Sequence, residues 1–100
     1  MINESKKVGG TNEIFIGNKP FIKYVIATMM QLKENKSAII RARGKFISRG
    51  VDVAEVVKKR IKETESINII PEISTGTEEF KNEEGKQINV STIDIILKKL

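Results

Sequence analysis

The residues best suited to do chemistry are a run of cations near the middle of the chain. Arg41, Arg43, Lys45 and Arg49 fall within nine residues, and no acid lies among them. Guanidinium and ammonium groups at that density suit phosphate oxygens, which accept charge-assisted hydrogen bonds from them. The apolar run Ala38-Ile39-Ile40 leads into the cations, and a helical pattern from about Ile47 leads out. With Ala38, Ile40 and Ala42 turned inward, the two-residue period of a strand sends Arg41 and Arg43 to the opposite side. Gly44 permits a sharp exit, and the helix that follows presents free N–H groups and a partial positive charge at its start. Such a corner suits an anion, above all a phosphate. A solvated basic edge is the plainer reading of the same residues.

Catalytic constellations fare worse. Cys and His are absent, which removes disulfides, thiolate or imidazole metal sites and histidine acid–base work. The candidate carboxylate pairs for acid–base catalysis are Asp52 with Glu55, at helical i, i+3 spacing, or Asp94 with either. Asp52 near a helix start is more simply a charge favoured by the dipole, and Glu55 a neighbour of Lys58, Lys59 or Arg49. Ser48 beside Lys45 reads as a cap or a phosphate contact rather than a nucleophile. Gly44 and Gly50 form neither of the glycine-rich phosphate loops. The chain is therefore expected to be no enzyme and to need no cofactor; a hydrolase using Asp52, Glu55 and Ser48 is the rival reading.

One hundred residues, 39% apolar and 31% charged, describe a single globular domain. Residues 1–12 read as a flexible N-terminal tail and 13–100 as the domain. No apolar run approaches the roughly 20 residues that cross a bilayer, and the first residues lack a signal segment, so a cytoplasmic place without membrane contact is expected. The net charge of +5 is uneven: residues 1–50 carry ten Lys/Arg against three acids, residues 51–100 eight against ten. A one-sided positive field favours a polyanionic partner.

The elements that must position the cations follow from periodicity. Ile14-Phe15-Ile16 reads as strand one, ended by Gly17-Asn18-Lys19-Pro20, with Pro20 in the first turn of a helix. In that helix Ile22, Val25, Ile26, Met29 and Met30 form the expected inward face, with Thr28 on the other side. Ala38 to Arg43 is strand two, parallel to strand one because a helix joins them. Parallel strands bring their carboxyl ends together, so the Lys19 loop and the Arg43-Gly44-Lys45 turn should be neighbours. Helix two spans about 47–63 with Ile47, Val51, Ala54, Val57 and Ile61 inward. Val53 and Val56 widen its stripe, which calls either for a second copy of the chain or for deeper burial within one protomer. Residues 66–80 and 86–100 read as a long hairpin, and a change of apolar parity at Ser91-Thr92 predicts a bulge. Strand order does not follow from these patterns. Phe46 is expected to be partly buried rather than a base-stacking platform.

Ile14-Phe15-Ile16-Gly17-Asn18-Lys19-Pro20 with Tyr24-Val25, then Ala42-Arg43-Gly44-Lys45-Phe46-Ile47-Ser48-Arg49-Gly50-Val51-Asp52, and finally Val90-Ser91-Thr92-Ile93, resemble the Alba family of archaeal chromatin proteins. The resemblance runs from Glu13 to Lys99. It implies an α+β fold: a two-layer β-α-β-α-β-β sandwich with a four-stranded mixed sheet, two helices on one face and a long C-terminal β-hairpin, similar to the C-terminal domain of translation initiation factor three. It implies a homodimer, or pairing with a paralogue, that binds double-stranded DNA and RNA through the phosphate backbone with little sequence specificity, the two hairpin arms reaching the minor groove. The expected role is to compact or protect the chromosome; the alternative is a dedicated RNA-binding protein of an RNA-processing or ribosomal particle. Carried over by position, Lys19, Arg41, Arg43, Lys45 and Arg49 match basic positions of the family. Asn18 replaces a lysine whose acetylation lowers DNA affinity in some members, so that switch is not expected here. Glu78, Glu79, Glu83 and Glu84 replace a more basic hairpin tip, leaving Lys81 and Lys86 for contact and implying weaker or more selective binding. Ile61 falls where some members carry an aromatic used between dimers.

Overall fold

The computed structural model describes residues 12–99. The expected tail therefore lies outside the described residues, apart from Asn12. The elements are β1 (Glu13–Phe15), α1 (Phe21–Asn35), β2 (Ser37–Arg43), a short 3-10 turn (Gly44–Phe46), α2 (Ile47–Glu65), β3 (Glu72–Lys81) and β4 (Gln87–Lys98). The sheet order is β1-β2-β4-β3, with β1 parallel to β2 and the other pairs antiparallel. This is the expected α+β sandwich.

Strand alternation sorts the sheet cleanly. Ile14, Ala38, Ile40, Ala42, Ile93, Ile95 and Leu97 are buried under the helices, and the residues between them face the open side. At the crossing of α2 over β2, Gly50 lets the backbones close: a Cβ there would stand 3.1 Å from that of Ala42.

α1 turns a different face inward from the one expected, and α2 keeps the expected Ala54, Val57 and Ile61 but not Val51. α1 buries Tyr24, Val25, Thr28 and Leu32, while Ile22, Ile26 and Met30 are exposed. Two apolar stripes lie side by side on α1, and the buried one carries Tyr24, whose hydroxyl is tied to the preceding loop. Thr28, expected outside, is buried because its hydroxyl donates to the Tyr24 carbonyl at 2.7 Å, which satisfies its polar group. α2 buries Gly50, Val53, Ala54, Val57 and Ile61 and leaves Val51 exposed. The surplus apolar residues of α2 are thus absorbed inside the protomer, and Ile61, buried in the core, presents no surface to a second dimer.

The hairpin also departs from expectation. Residues 66–71 are not strand; they connect α2 to β3, with Ser66 in the left-handed conformation behind the helix and Ile69 buried. No bulge occurs at Ser91-Thr92, since the β3–β4 register runs unbroken from Glu72↔Ile96 to Lys81↔Gln87. The parity change has another cause. β2 ends at Arg43, opposite Thr92, so Ile88 and Val90 lie in the part of the hairpin that projects past the sheet body. There Ile88 pairs with Phe80 rather than with the helical layer.

Candidate nucleic-acid interface

The carboxyl ends of β1 and β2 and the projecting hairpin share one end of the sheet, because β4 runs antiparallel to β2 and carries the arm onward past Arg43. The loop after β1 is held by Tyr24, whose hydroxyl accepts from the backbone N–H of Gly17 and of Lys19, each at 2.9 Å. Pro20 occupies the cap position of α1, and no side chain caps either α1 or α2. Asn18 and Lys19 are exposed on this loop.

Arg49, one turn into α2, joins the two loops. Its Nη2 donates to the Lys19 carbonyl at 2.7 Å, and its guanidinium lies 5.9 Å from the Phe21 ring centre and 5.8 Å from that of Tyr24. Cation–π contact and the hydrogen bond hold a cation at the seam while its Nε stays buried without an acceptor. Lys45 is exposed on the turn, its Nζ 5.3 Å from the centre of the half-buried Phe46 ring. Ser48 is exposed beside it. The loops at Lys19 and Arg43-Gly44-Lys45 are neighbours, as parallel pairing requires.

Arg41 and Arg43 lie on the open side of the sheet, and each already has an acidic partner. Arg41 Nη1 is 2.5 Å from Glu13, and its Nε is 3.5 Å from Asp94 Oδ1, an ion-pair distance without hydrogen-bond geometry. Arg43 Nη1 is 2.6 Å from Glu78 Oε1 on the arm. Lys81 and Lys86 are exposed near the arm tip, where Asn82 shapes the turn: its Oδ1 accepts from the N–H of Glu84 at 3.0 Å and of Lys86 at 2.9 Å. Glu55 is engaged by Lys58 at 3.1 Å.

The roles of three residues at this end of the sheet escaped the reading of charges, Glu78 having been read only as an acid of the hairpin and not as the partner of Arg43. Tyr24 had the signal of a polar-tipped aromatic inside an apolar helix face. Glu78 had none, because its partner is 35 residues away and on a strand that is not its hydrogen-bonded neighbour. Asn82 stood in an obvious turn, and an Asn followed by Gly85 at positive φ is consistent with its role.

The fold places the chain among small two-layer α+β domains with an open sheet face and a projecting hairpin. The Alba family model matches residues 12–73, and the chain belongs to the Alba family. It is 47% identical over 89 residues to the DNA/RNA-binding protein Alba of Methanocella arvoryzae, covering 88% of this chain and 90% of the relative. It is 46% identical over 88 residues to the DNA/RNA-binding protein Alba of Methanococcus maripaludis, covering 86% and 96%. Among solved structures, Alba from Thermoplasma volcanium superposes with a TM-score of 0.72 at 39% identity, covering 87% of this chain and 99% of that one.

Proposed function

We propose that the protein is an architectural chromatin protein that binds double-stranded DNA, and RNA, chiefly through the phosphate backbone and with little sequence preference. The observation that carries this is the bond from Arg49 to the Lys19 carbonyl, which makes one cationic rim from two loops that each lead into a helix start. Lys19, Arg43, Lys45 and Arg49 supply its charge, and Asn18 and Ser48 supply neutral hydrogen-bonding groups. Arg41, already flanked by two carboxylates, adds a smaller share. Lys81 and Lys86 extend contact along the arm, against the repulsion of Glu78, Glu79, Glu83 and Glu84. The names of the Methanocella and Methanococcus relatives support the choice of ligand.

The working unit in this reading is a homodimer. Its pairing surface is the stripe Ile22, Ile26 and Met30 of α1, apolar side chains at helical spacing that are each about half exposed in the protomer. No helix among the described residues is long and apolar enough to cross a membrane. We place the protein on the chromosome in the cytoplasm, in a binding rather than a catalytic role.

A salt titration of duplex binding tests the reading. Four to five phosphates neutralised per protomer, and so eight to ten per dimer, at a slope of about −0.9 each, give a loss of roughly 4.3 to 5.4 decades in affinity of the dimer between 50 and 200 mM salt. A flat response overturns the backbone mechanism.

A further inference from the structure

The open face of the sheet carries a feature that phosphate binding uses only through its arginines. A groove of about 590 Å³ lies there, lined by Phe15, Arg41, Arg43, Glu78, Thr92 and Asp94 among others. The register sets Phe15 beside Arg41 and Arg41 opposite Asp94, and in the next row Arg43 faces Thr92, which faces Gly76. Gly76 contributes no side chain, and a Cβ there would come within 3.1 Å of the Thr92 hydroxyl, so the floor stays low at that point. Phe15 is 66% exposed, unusual for a ring on a strand, and presents a face to solvent at the end of β1.

We propose that this groove binds an unpaired base of single-stranded nucleic acid, stacked on Phe15, with its hydrogen-bonding edge turned toward Asp94 and Thr92. The charge balance decides between base and phosphate as the occupant. Arg41 and Arg43 are met by Glu13, Asp94 and Glu78, so the groove floor has no surplus positive charge for an anion. It offers carboxylate and hydroxyl acceptors instead, and every base carries an amino or imino N–H to donate to them. Stacking on one aromatic ring is tolerant of sequence, since every base has a π-face, and open sheets with exposed aromatics recognise single strands in this way. The groove shares Arg43 with the cationic rim, so a strand leaving the stacked base passes directly onto the rim. The inference takes its ligand class from the function proposed above, while its own test does not depend on duplex binding.

The chain contains no Trp, so Phe15→Trp introduces a single reporting indole at the stacking position. Fluorescence of this variant is titrated with unstructured ten-nucleotide oligouridylate and oligothymidylate, and with an abasic oligomer of equal charge. Quenching by the first two and not by the third is expected; the stronger of the two identifies RNA or DNA as the better source of the base. In anisotropy measurements, Phe15→Ala should weaken single-strand binding by about five-fold or more. Its affinity for a 20-base-pair duplex should be unchanged, and Phe15→Trp should restore the single-strand affinity. Because the ring is exposed, the thermal midpoint of Phe15→Ala serves as the check on folding. Equal weakening on duplex and single strand overturns the proposal, as do quenching by the abasic oligomer and absence of single-strand binding by the wild type. A change of the Phe15→Ala variant from dimer to monomer with single-strand binding intact also overturns it, marking the face as a protein contact.

Discussion

Arg43, the last residue of β2, is bound at 2.6 Å by Glu78 of the arm, so a cation of the rim meets nucleic acid with an acid already in place. Both side chains are more than half exposed, and a pair of this kind is worth about 0–1 kcal/mol. That is weak enough for a phosphate to displace the carboxylate, yet the exchange lowers the net gain. Glu78→Gln should raise duplex affinity about two- to five-fold. Its salt slope should stay close to that of the wild type, because Arg43 neutralises a phosphate in both proteins. Parallel salt titrations of the two proteins check this, and an unchanged affinity at every salt concentration would show that Arg43 does not reach phosphate.

The Tyr24 hydroxyl accepts from the N–H groups of both Gly17 and Lys19. Tyr24→Phe keeps the ring in the core and under Arg49 while leaving two part-buried donors to find water. A loss of about 1–3 kcal/mol in chemical denaturation is expected. Duplex affinity should fall several-fold besides, because the Lys19 loop loses its anchor. Loss of stability with affinity intact would separate the loop from the interface.

Gly50 sits where α2 approaches β2 most closely, and a Cβ would meet Ala42 at 3.1 Å with Ile40 and Ile16 just beyond. Gly50→Val pushes the helix off the sheet and should cost about 1–3 kcal/mol in denaturation by urea. It should also shift Arg49, one residue earlier, and weaken its hold on the Lys19 carbonyl.

Ile26 lies at the centre of the exposed α1 stripe and touches no part of the rim's hydrogen-bond network. Ile26→Lys should convert the proposed dimer to a monomer by mass measurement in solution, with the far-ultraviolet spectrum unchanged. A wild-type protein that is already monomeric would remove the pairing surface from the account.

The cationic rim was legible from residue order because parallel pairing is forced by a single helical crossover, and parallel strands put Lys19 beside the turn after Arg43. The rotation of α1 was not, since Ile22-Ile26-Met30 and Val25-Met29-Leu32 are equally apolar and adjacent. The buried face is the one that carries Tyr24, whose hydroxyl meets two backbone amides of the loop just before the helix. The partners of Arg41 and Arg43 were hidden for a different reason. Glu78 and Asp94 approach them only through the order β2-β4-β3, which strand patterns do not reveal. The apparent bulge at Ser91-Thr92 was a reading of parity alone. What changes there is the surroundings, where β2 stops, and not the register.

β3 runs along the outer border of the sheet for ten residues, all exposed, with one row of its backbone amides and carbonyls left without a strand beside it. A border so long invites another chain to zip onto it, and apolar Ile73 and Phe80 would help such stacking. Glu72, Glu78, Glu79 and Lys81 stand along the same strand and make two such borders repel. The acids that weaken the arm's attraction for phosphate therefore also guard against fibril growth, keeping the molecule dispersed where chains are crowded along a polymer.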